Sequence, residues 1–276
     1  LSSDGSRVAI GCPHSASDKG HVEIYDYIVG SGWSKVGSNI VGATAGMRYG
    51  YSVSLSNDGT YVAVGAPFDD TTASDSGLVN VYKYDSVWTK VGADIVGGGA
   101  SYKLGTSVSL SSNGIILAVG IPGNGQGSVK SYALSSGSWV ARGSELIGEA
   151  TSDKFGTSVS LSSNGARLVI GAPENGTAGH IRIYEYSVSD WSQMGTDIDG
   201  AAAGDKFGTS VSFSGDGSRV AAGSPGNGRG DVKVYVYENS VWTKLGETII
   251  GTITGDQFGH SVSLSTNGLR VGVGPD

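Results

Sequence analysis

The 276-residue sequence predicts an all-β fold, a β-propeller of four-stranded antiparallel blades, and three recurring features predict it. A glycine closes a short apolar run at Gly11, Gly65, Gly120, Gly171, Gly223 and Gly274, with gaps of 54, 55, 51, 52 and 51 residues. A period near fifty means that one supersecondary unit is copied end to end, each copy burying its faces against the next. Ahead of each run stands a turn pair: Asp4-Gly5, Asp58-Gly59, Asn113-Gly114, Asn164-Gly165, Asp216-Gly217 and Asn267-Gly268. Such a pair between apolar runs favours a tight hairpin in which both central residues take positive φ. Finally, a tryptophan recurs once per period, at Trp33, Trp88, Trp139, Trp191 and Trp242.

Residues 153–200 show the unit best. Phe155-Gly156 opens it, and Ser158-Val159-Ser160-Leu161-Ser162 then alternates small polar with branched apolar residues, the pattern of a strand with two unlike faces, strand a. After the Asn164-Gly165 turn, strand b runs from Arg167 to Ile170 and stops at Gly171-Ala172-Pro173, where proline removes a backbone donor. Strand c is His180-Ile181-Arg182-Ile183-Tyr184-Glu185-Tyr186. Ile181 and Ile183 share a face, whereas the Arg182 position holds Glu23, Asn80, Lys130 and Lys233 in other repeats, a scatter of charge that predicts a solvent-facing site. Strand d starts at the tryptophan, read as a packing block between neighbours, and closes in Ile or a similar residue before glycine. In strand b of the first repeat, Val8 and Ile10 project one way and Ala9 and Gly11 the other, so a bulky face can nest against a slim one. A parallel β-helix would instead show rungs of about 20 to 25 residues without internal hairpins.

The repeats fall approximately at residues 1–48, 49–103, 104–154, 155–206 and 207–257, with a partial copy at 258–276. No linker interrupts them, so residues 1–276 read as one domain or part of one: five full periods plus an extra a–b hairpin over residues 261–274. The chain opens inside a repeat, so a window cut from a longer array is expected, ahead of a five-bladed ring.

Glycine is abundant, 47 residues against 6 prolines, but the apolar residues recur at fixed places, which a disordered chain does not need. Eighteen basic against 25 acidic residues give a net charge of −7, with no basic stripe to neutralise phosphates, so nucleic acid is not an expected partner. Apolar stretches of five or six residues fall far short of a membrane span. A single cysteine, Cys12, excludes an intrachain disulfide.

Phe155-Gly156, Phe207-Gly208 and Phe258-Gly259, each followed by Ser-Val-Ser, with Gly-Ala-Pro or Gly-Ser-Pro some fifteen residues on in the first two, resemble FG-GAP repeats, with weaker copies at Tyr49-Gly50 and Leu104-Gly105. The resemblance covers essentially the whole chain. It implies the blades of the integrin α-chain propeller and of secreted or surface proteins of microbes and algae, commonly seven-bladed. Integrin-type blades often carry an Asp-x-Asp-x-Asp-Gly calcium loop between strands a and b. Here that segment is only Ser-Asn-Asp-Gly or Ser-Ser-Asn-Gly, too few oxygens for the six to eight that calcium takes, so no cofactor is expected.

Consecutive hairpins alternate ends, which puts the b–c and d–a loops at one end of the blades. That end holds most of the variation: the acidic stretch with Asp69, Asp70 and Asp75, the Gly-rich loops around Asn124 and Asn227, and the turns with Asp153, Asp205 and Asp256. The resemblance implies that this face meets a protein or glycan partner. Asp69, Asp70 and Asp75 are weak candidates for a divalent cation, since charged runs in long loops are ordinarily solvated. Asp153, Asp205 and Asp256 are expected to accept backbone amides in their turns. Arg229-Gly230-Asp231 spells an adhesive tripeptide, but it also fills the place where every repeat sets Gly before strand c. Asn175-Gly176-Thr177 is an N-glycosylation acceptor in an expected exposed loop.

His14, His21, His180 and His260 fall at scattered positions without metal-ligand spacing, and no serine has a Gly-x-Ser-x-Gly context. The expected function is therefore a non-enzymatic extracellular or cell-surface module for adhesion, structural assembly or ligand display. The alternatives are an intracellular interaction scaffold of WD-repeat type, invited by Ser-Asp-Gly-Ser-Arg-Val-Ala, and a propeller enzyme with charged residues converging where Ser52, Ser107, Ser158, Ser210 and Ser261 stand.

Overall fold

The structure, a computed structural model, describes residues 1–226 and 228–275. It is all-β: five antiparallel sheets, one per repeat, and a terminal hairpin. The chain divides into two compact units, Leu1–Asn124 with Ser131–Arg142, and Gly125–Lys130 with Gly143–Asp276.

In the first unit, the opening sheet is built from Arg7–Cys12, His21–Ile28, Gly32–Lys35 and Ile40–Val41; the residues before Arg7 form a turn rather than a strand a. The second repeat is complete, with Ser52–Leu55, Tyr61–Ala66, Leu78–Asp85, Val87–Lys90 and Ile95–Val96. The a and b strands of the third repeat, Val108–Leu110 and Ile116–Ile121, pair in the same unit. The second unit holds Ser158–Leu161, Arg167–Ala172, His180–Ser187, Asp190–Gln193 and Ile198–Asp199, then Ser210–Phe213, Arg219–Ser224, Asp231–Glu238, Val241–Lys244 and Ile249–Ile250, and the hairpin Ser261–Leu264 with Val271–Gly274.

Strand d departs from the expected single run. Asp190–Gln193 and Ile198–Asp199 both pair with the same edge of His180–Ser187, so strand d is one strand broken in the middle. The Met194 amide still reaches Ile183 O at 2.8 Å, but Gly195, at φ 76°, then steps the chain out of the ladder. The break places Asp197 beside strand c. Turns between strands a and b also differ from expectation, because only the glycine takes positive φ (Gly165, 68°). Asn164 stays right-handed and caps the turn: its Oδ1 accepts Ala166 N at 2.9 Å, while Gly165 N bonds Ser162 O at 2.8 Å. This is a type I turn ending on a left-handed glycine, in a four-residue loop closed by the bond from Ser162 N to Arg167 O at 2.9 Å.

Repeats within each unit are joined by three devices. The glycine that ends strand b lies so close to the next repeat that a methyl group at Gly171 would overlap the Gly208 carbonyl oxygen; Gly65 and Gly105, and Gly223 and Gly259, repeat the contact. Serines of strand a bond across the same gap. Ser52, Ser158 and Ser210 donate to Gly105, Gly208 and Gly259 carbonyls at 2.7–2.8 Å, and Ser54, Ser160 and Ser212 accept the amides of Leu110, Phe213 and Leu264. Each indole of Trp88, Trp139 and Trp242 donates to a backbone carbonyl of the preceding repeat, Val36, Val91 and Met194, at 3.0–3.1 Å. Around these bonds, Val169, Ile181, Ile183, Phe207, Phe213, Val220 and Trp242 form one continuous core in the second unit. Strand b is buried on both faces there, which explains its unbroken apolar run.

Candidate functional site

The b–c loop of each repeat is hydrogen-bonded to the d–a turn that follows it, so the two loop sets share one end as expected. In the first unit Arg48 N bonds Asp18 O at 2.8 Å and Lys103 N bonds Asp75 O at 3.0 Å; in the second, Ser152 N, Gly204 N and Gly255 N bond Gly125, Thr177 and Gly228 carbonyls at 2.7–2.9 Å. The turn carboxylates tighten this end. Asp153 Oδ2 accepts the amides of Glu149 and Ala150, and Asp205 Oδ2 those of Ala201 and Ala202, all within 3.0 Å. Both carboxylates are almost wholly buried, and hydrogen bonds are what make that burial tolerable.

The three loop aspartates have separate local roles. Asp69 is buried, and its Oδ1 accepts Thr71 N at 2.9 Å while its carbonyl accepts Gly77 N; Asp70 Oδ1 accepts Asp75 N at 2.8 Å. Asp75 itself sits at φ 52°. Asn175 is half-buried, with its amide nitrogen donating to Asp153 Oδ2 at 3.0 Å and Glu149 Oε2 at 3.3 Å. In the adhesive-like tripeptide, Arg229 is exposed, Gly230 (φ 76°) packs on the Phe258 backbone, and Asp231 is buried and paired with Lys233 at 2.9 Å. Asn124 is half-buried, whereas Asn227 lies outside the described residues.

The Arg182 position is not solvent-facing, which corrects the reading of its charge scatter. Its side chain is only 11% exposed, and Asn80 is buried too. Four of the five occupants meet a partner brought over by the break in strand d or the segments beside it: Glu23 with Lys35 and Asn39, Asn80 with Asp94, Lys130 with Glu145, and Arg182 with Asp197 at 3.0 Å, while Lys233 pairs with Asp231 on its own strand. Three of the partners brought over are carboxylates, and only where Glu23 stands are they replaced by Lys35 and Asn39.

Around Arg182 the sequence reading missed a cluster. Glu149, from the d–a turn, and Asp197 both pair with the guanidinium, and His180, 1% exposed, sets its Nδ1 3.8 Å from Asp197. Glu149, His180 and Asp197 offer ligand atoms within 4.8 Å of one another, a donor set suited to a divalent cation. The positive charge there is supplied by Arg182 itself. Burial opposes that charge most strongly, but the hydrogen bond that Arg182 donates to Asp197 and the nearby charges of Tyr184, Asp197 and Glu149 together outweigh it and hold the Arg182 pKa above its ordinary value. His180 is pushed the other way, first by burial and then by the neighbouring guanidinium, so its neutral form is favoured; its Nε2 has no hydrogen-bond partner among the described residues. No spacing signal could have exposed this group, since its members are contributed by three separate strands and turns.

A pair of contacting glycines, one ending strand b and one opening the next repeat, recurs at Gly11 and Gly50, Gly65 and Gly105, Gly171 and Gly208, and Gly223 and Gly259, and the family model for the FG-GAP repeat matches residues 42–82. Residues 42–82 are an FG-GAP repeat. In it Gly50 N donates to Gly65 O at 3.0 Å, so the two glycines that name the FG-GAP motif are bonded to each other within the repeat as well as packed between repeats. Its aromatic position is Tyr49, buried, whose hydroxyl donates to Asn80 Oδ1 at 3.0 Å and lies within hydrogen-bond distance, 3.0 Å, of the Tyr82 hydroxyl.

Solved structures share the fold. A Bacteroides uniformis protein proposed to be a 6-phosphogluconolactonase matches 98% of this chain over 75% of its own length, at TM-score 0.66 and 15% identity. A Lactobacillus plantarum protein matches 97% over 74% of its length, at TM-score 0.65 and 16% identity. TolB from Acinetobacter baumannii matches 90% over 54% of its length, at TM-score 0.54 and 12% identity. At these identities the likeness shows the β-propeller fold alone. No curated protein matches the chain.

Proposed function

We propose that this chain is a non-enzymatic propeller module of an extracellular or cell-surface protein, and that the b–c and d–a loop end presents it to a protein or glycan partner. One observation carries the reading: repeats with near-identical frames differ in their b–c loops, which occupy residues 67–77 in the second repeat but only 122–127 in the third. Rigid frames with variable loops are a common arrangement for recognition. The fully buried parts of the frame are spent on repeat-to-repeat bonds, and the charged cluster around Arg182 is internally neutralised rather than poised for proton transfer.

The test compares the chain with a variant in which residues 67–77 are replaced by the shorter loop of residues 122–127, both displayed on oligosaccharide and extracellular-protein arrays. The proposal expects a ligand bound by the parent and lost by the variant. Ligands retained equally by both, or no binding by the parent, would overturn it.

A further inference from the structure

The residue before each of the pairs Tyr49-Gly50, Leu104-Gly105, Phe155-Gly156, Phe207-Gly208 and Phe258-Gly259 is Arg48, Lys103, Lys154, Lys206 and Gln257, and all five sit in the left-handed region at φ 52–55°. Glycine or asparagine would adopt that backbone with less strain. Long polar side chains, four of them cationic, occupy it instead, so the backbone does not explain the choice. Several cations of this acidic chain are matched with carboxylates: Arg7 with Asp26, Lys90 with Asp94, Arg167 with Glu185, and Lys154, at this same position, with Glu174. Arg48 and Lys103 have no carboxylate partner among the described residues, and both turn toward one ring. The Arg48 guanidinium is 4.5 Å and the Lys103 ammonium 5.1 Å from the centre of Phe68, in the long b–c loop.

Cation–π attraction to one ring only partly offsets the repulsion between two half-buried like charges. An anionic group bound by both would remove it. Beside them Tyr51, 45% exposed, meets Phe68 edge-on at 5.9 Å and presents an aromatic face at the same spot. Asp70, exposed in the same loop, disfavours a continuous polyanion but tolerates a single charged group.

We propose that Arg48, Lys103, Phe68 and Tyr51 form a subsite for an acidic sugar, the sulfate or carboxylate lying between the two cations and the ring of the sugar against Tyr51. This deepens, and rests on, the loop-end reading above. The probe is a fluorescein-labelled sulfated hexasaccharide, titrated by anisotropy against the full chain, with its desulfated counterpart and an oligoglutamate peptide as comparisons. The variants are Arg48→Asn and Lys103→Asn, which relieve the backbone and so keep or raise the melting temperature. Each is expected to weaken the sulfated probe about tenfold, the scale of one charged hydrogen bond, and the pair to abolish binding. Lys154→Asn, which removes a matched cation at the same repeat position, is expected to leave binding unchanged.

Equal binding by the Lys103→Asn variant would overturn the subsite, as would equal affinity for the desulfated sugar. Tighter binding of the peptide than of the sugar would replace it with an acidic-peptide site. Failure of the sulfated probe, while the loop replacement still removes an array ligand, would reject the acidic sugar and leave the loop-end reading standing.

Discussion

Ser158 Oγ donates a 2.8 Å hydrogen bond to the carbonyl of Gly208, fifty residues away in the next repeat. The bond couples two otherwise unrelated stretches of chain at the place where their backbones come closest. Ser158→Ala removes the donor and leaves that carbonyl underused, at a cost of about 1 kcal/mol. Urea denaturation of the variant should show that loss with the slope unchanged.

Gly171 faces the same carbonyl, and there the cost is steric. An added methyl would overlap Gly208 O and crowd Ser158 Oγ, both fixed by their own bonds. Gly171→Ala should therefore destabilise by about 3 kcal/mol or more, as overpacking does when neighbours cannot move. A melting temperature within two degrees or so of the parent would show that the repeats are not packed this closely.

The tryptophans test the same coupling by comparison. Trp242 is buried and donates to Met194 O at 3.1 Å, whereas Trp33, in the opening repeat, is half exposed. Trp242→Phe should cost about 1 to 2 kcal/mol, from the lost bond and the lost ring area, and Trp33→Phe a few tenths. Equal losses in thermal denaturation would contradict the shared-block role.

Period, hairpins and packing tryptophans are legible in the sequence because a repeat writes each constraint several times: Gly171, Gly223 and Gly65 report one close contact thrice. The split of strand d is not legible, since Gly195-Thr196-Asp197 reads as ordinary strand margin until its ladder partner is known. Arg182 misleads for a physical reason. Charge at one position with varying sign looks like exposure, but Arg182, Lys130 and Asn80 each meet a carboxylate, Asp197, Glu145 and Asp94, and Glu23 meets Lys35 and Asn39 instead. Nor does anything in Arg48 or Lys103 announce a left-handed backbone, because only glycine carries that information in its identity.

His180 predicts a pH dependence. Its folded pKa lies below the ordinary histidine value, first through burial and then through Arg182, so below about pH 6.5 the unfolded chain takes up a proton that the folded chain resists. Stability should therefore fall as pH drops from 7 toward 5. In His180→Gln that part of the slope disappears, readable as melting temperatures across the range. An unchanged slope would show that His180 charges freely in the fold.

The central claim is that repeat-to-repeat contacts hold the frame while the b–c loops are free to differ. Thermal unfolding of the loop-replacement variant, in which residues 122–127 stand in for 67–77, tests it most directly when run beside Gly171→Ala. The account predicts a single cooperative transition for the loop variant within a few degrees of the parent and a large drop for the glycine variant. A loop variant that unfolds as early as Gly171→Ala would contradict it.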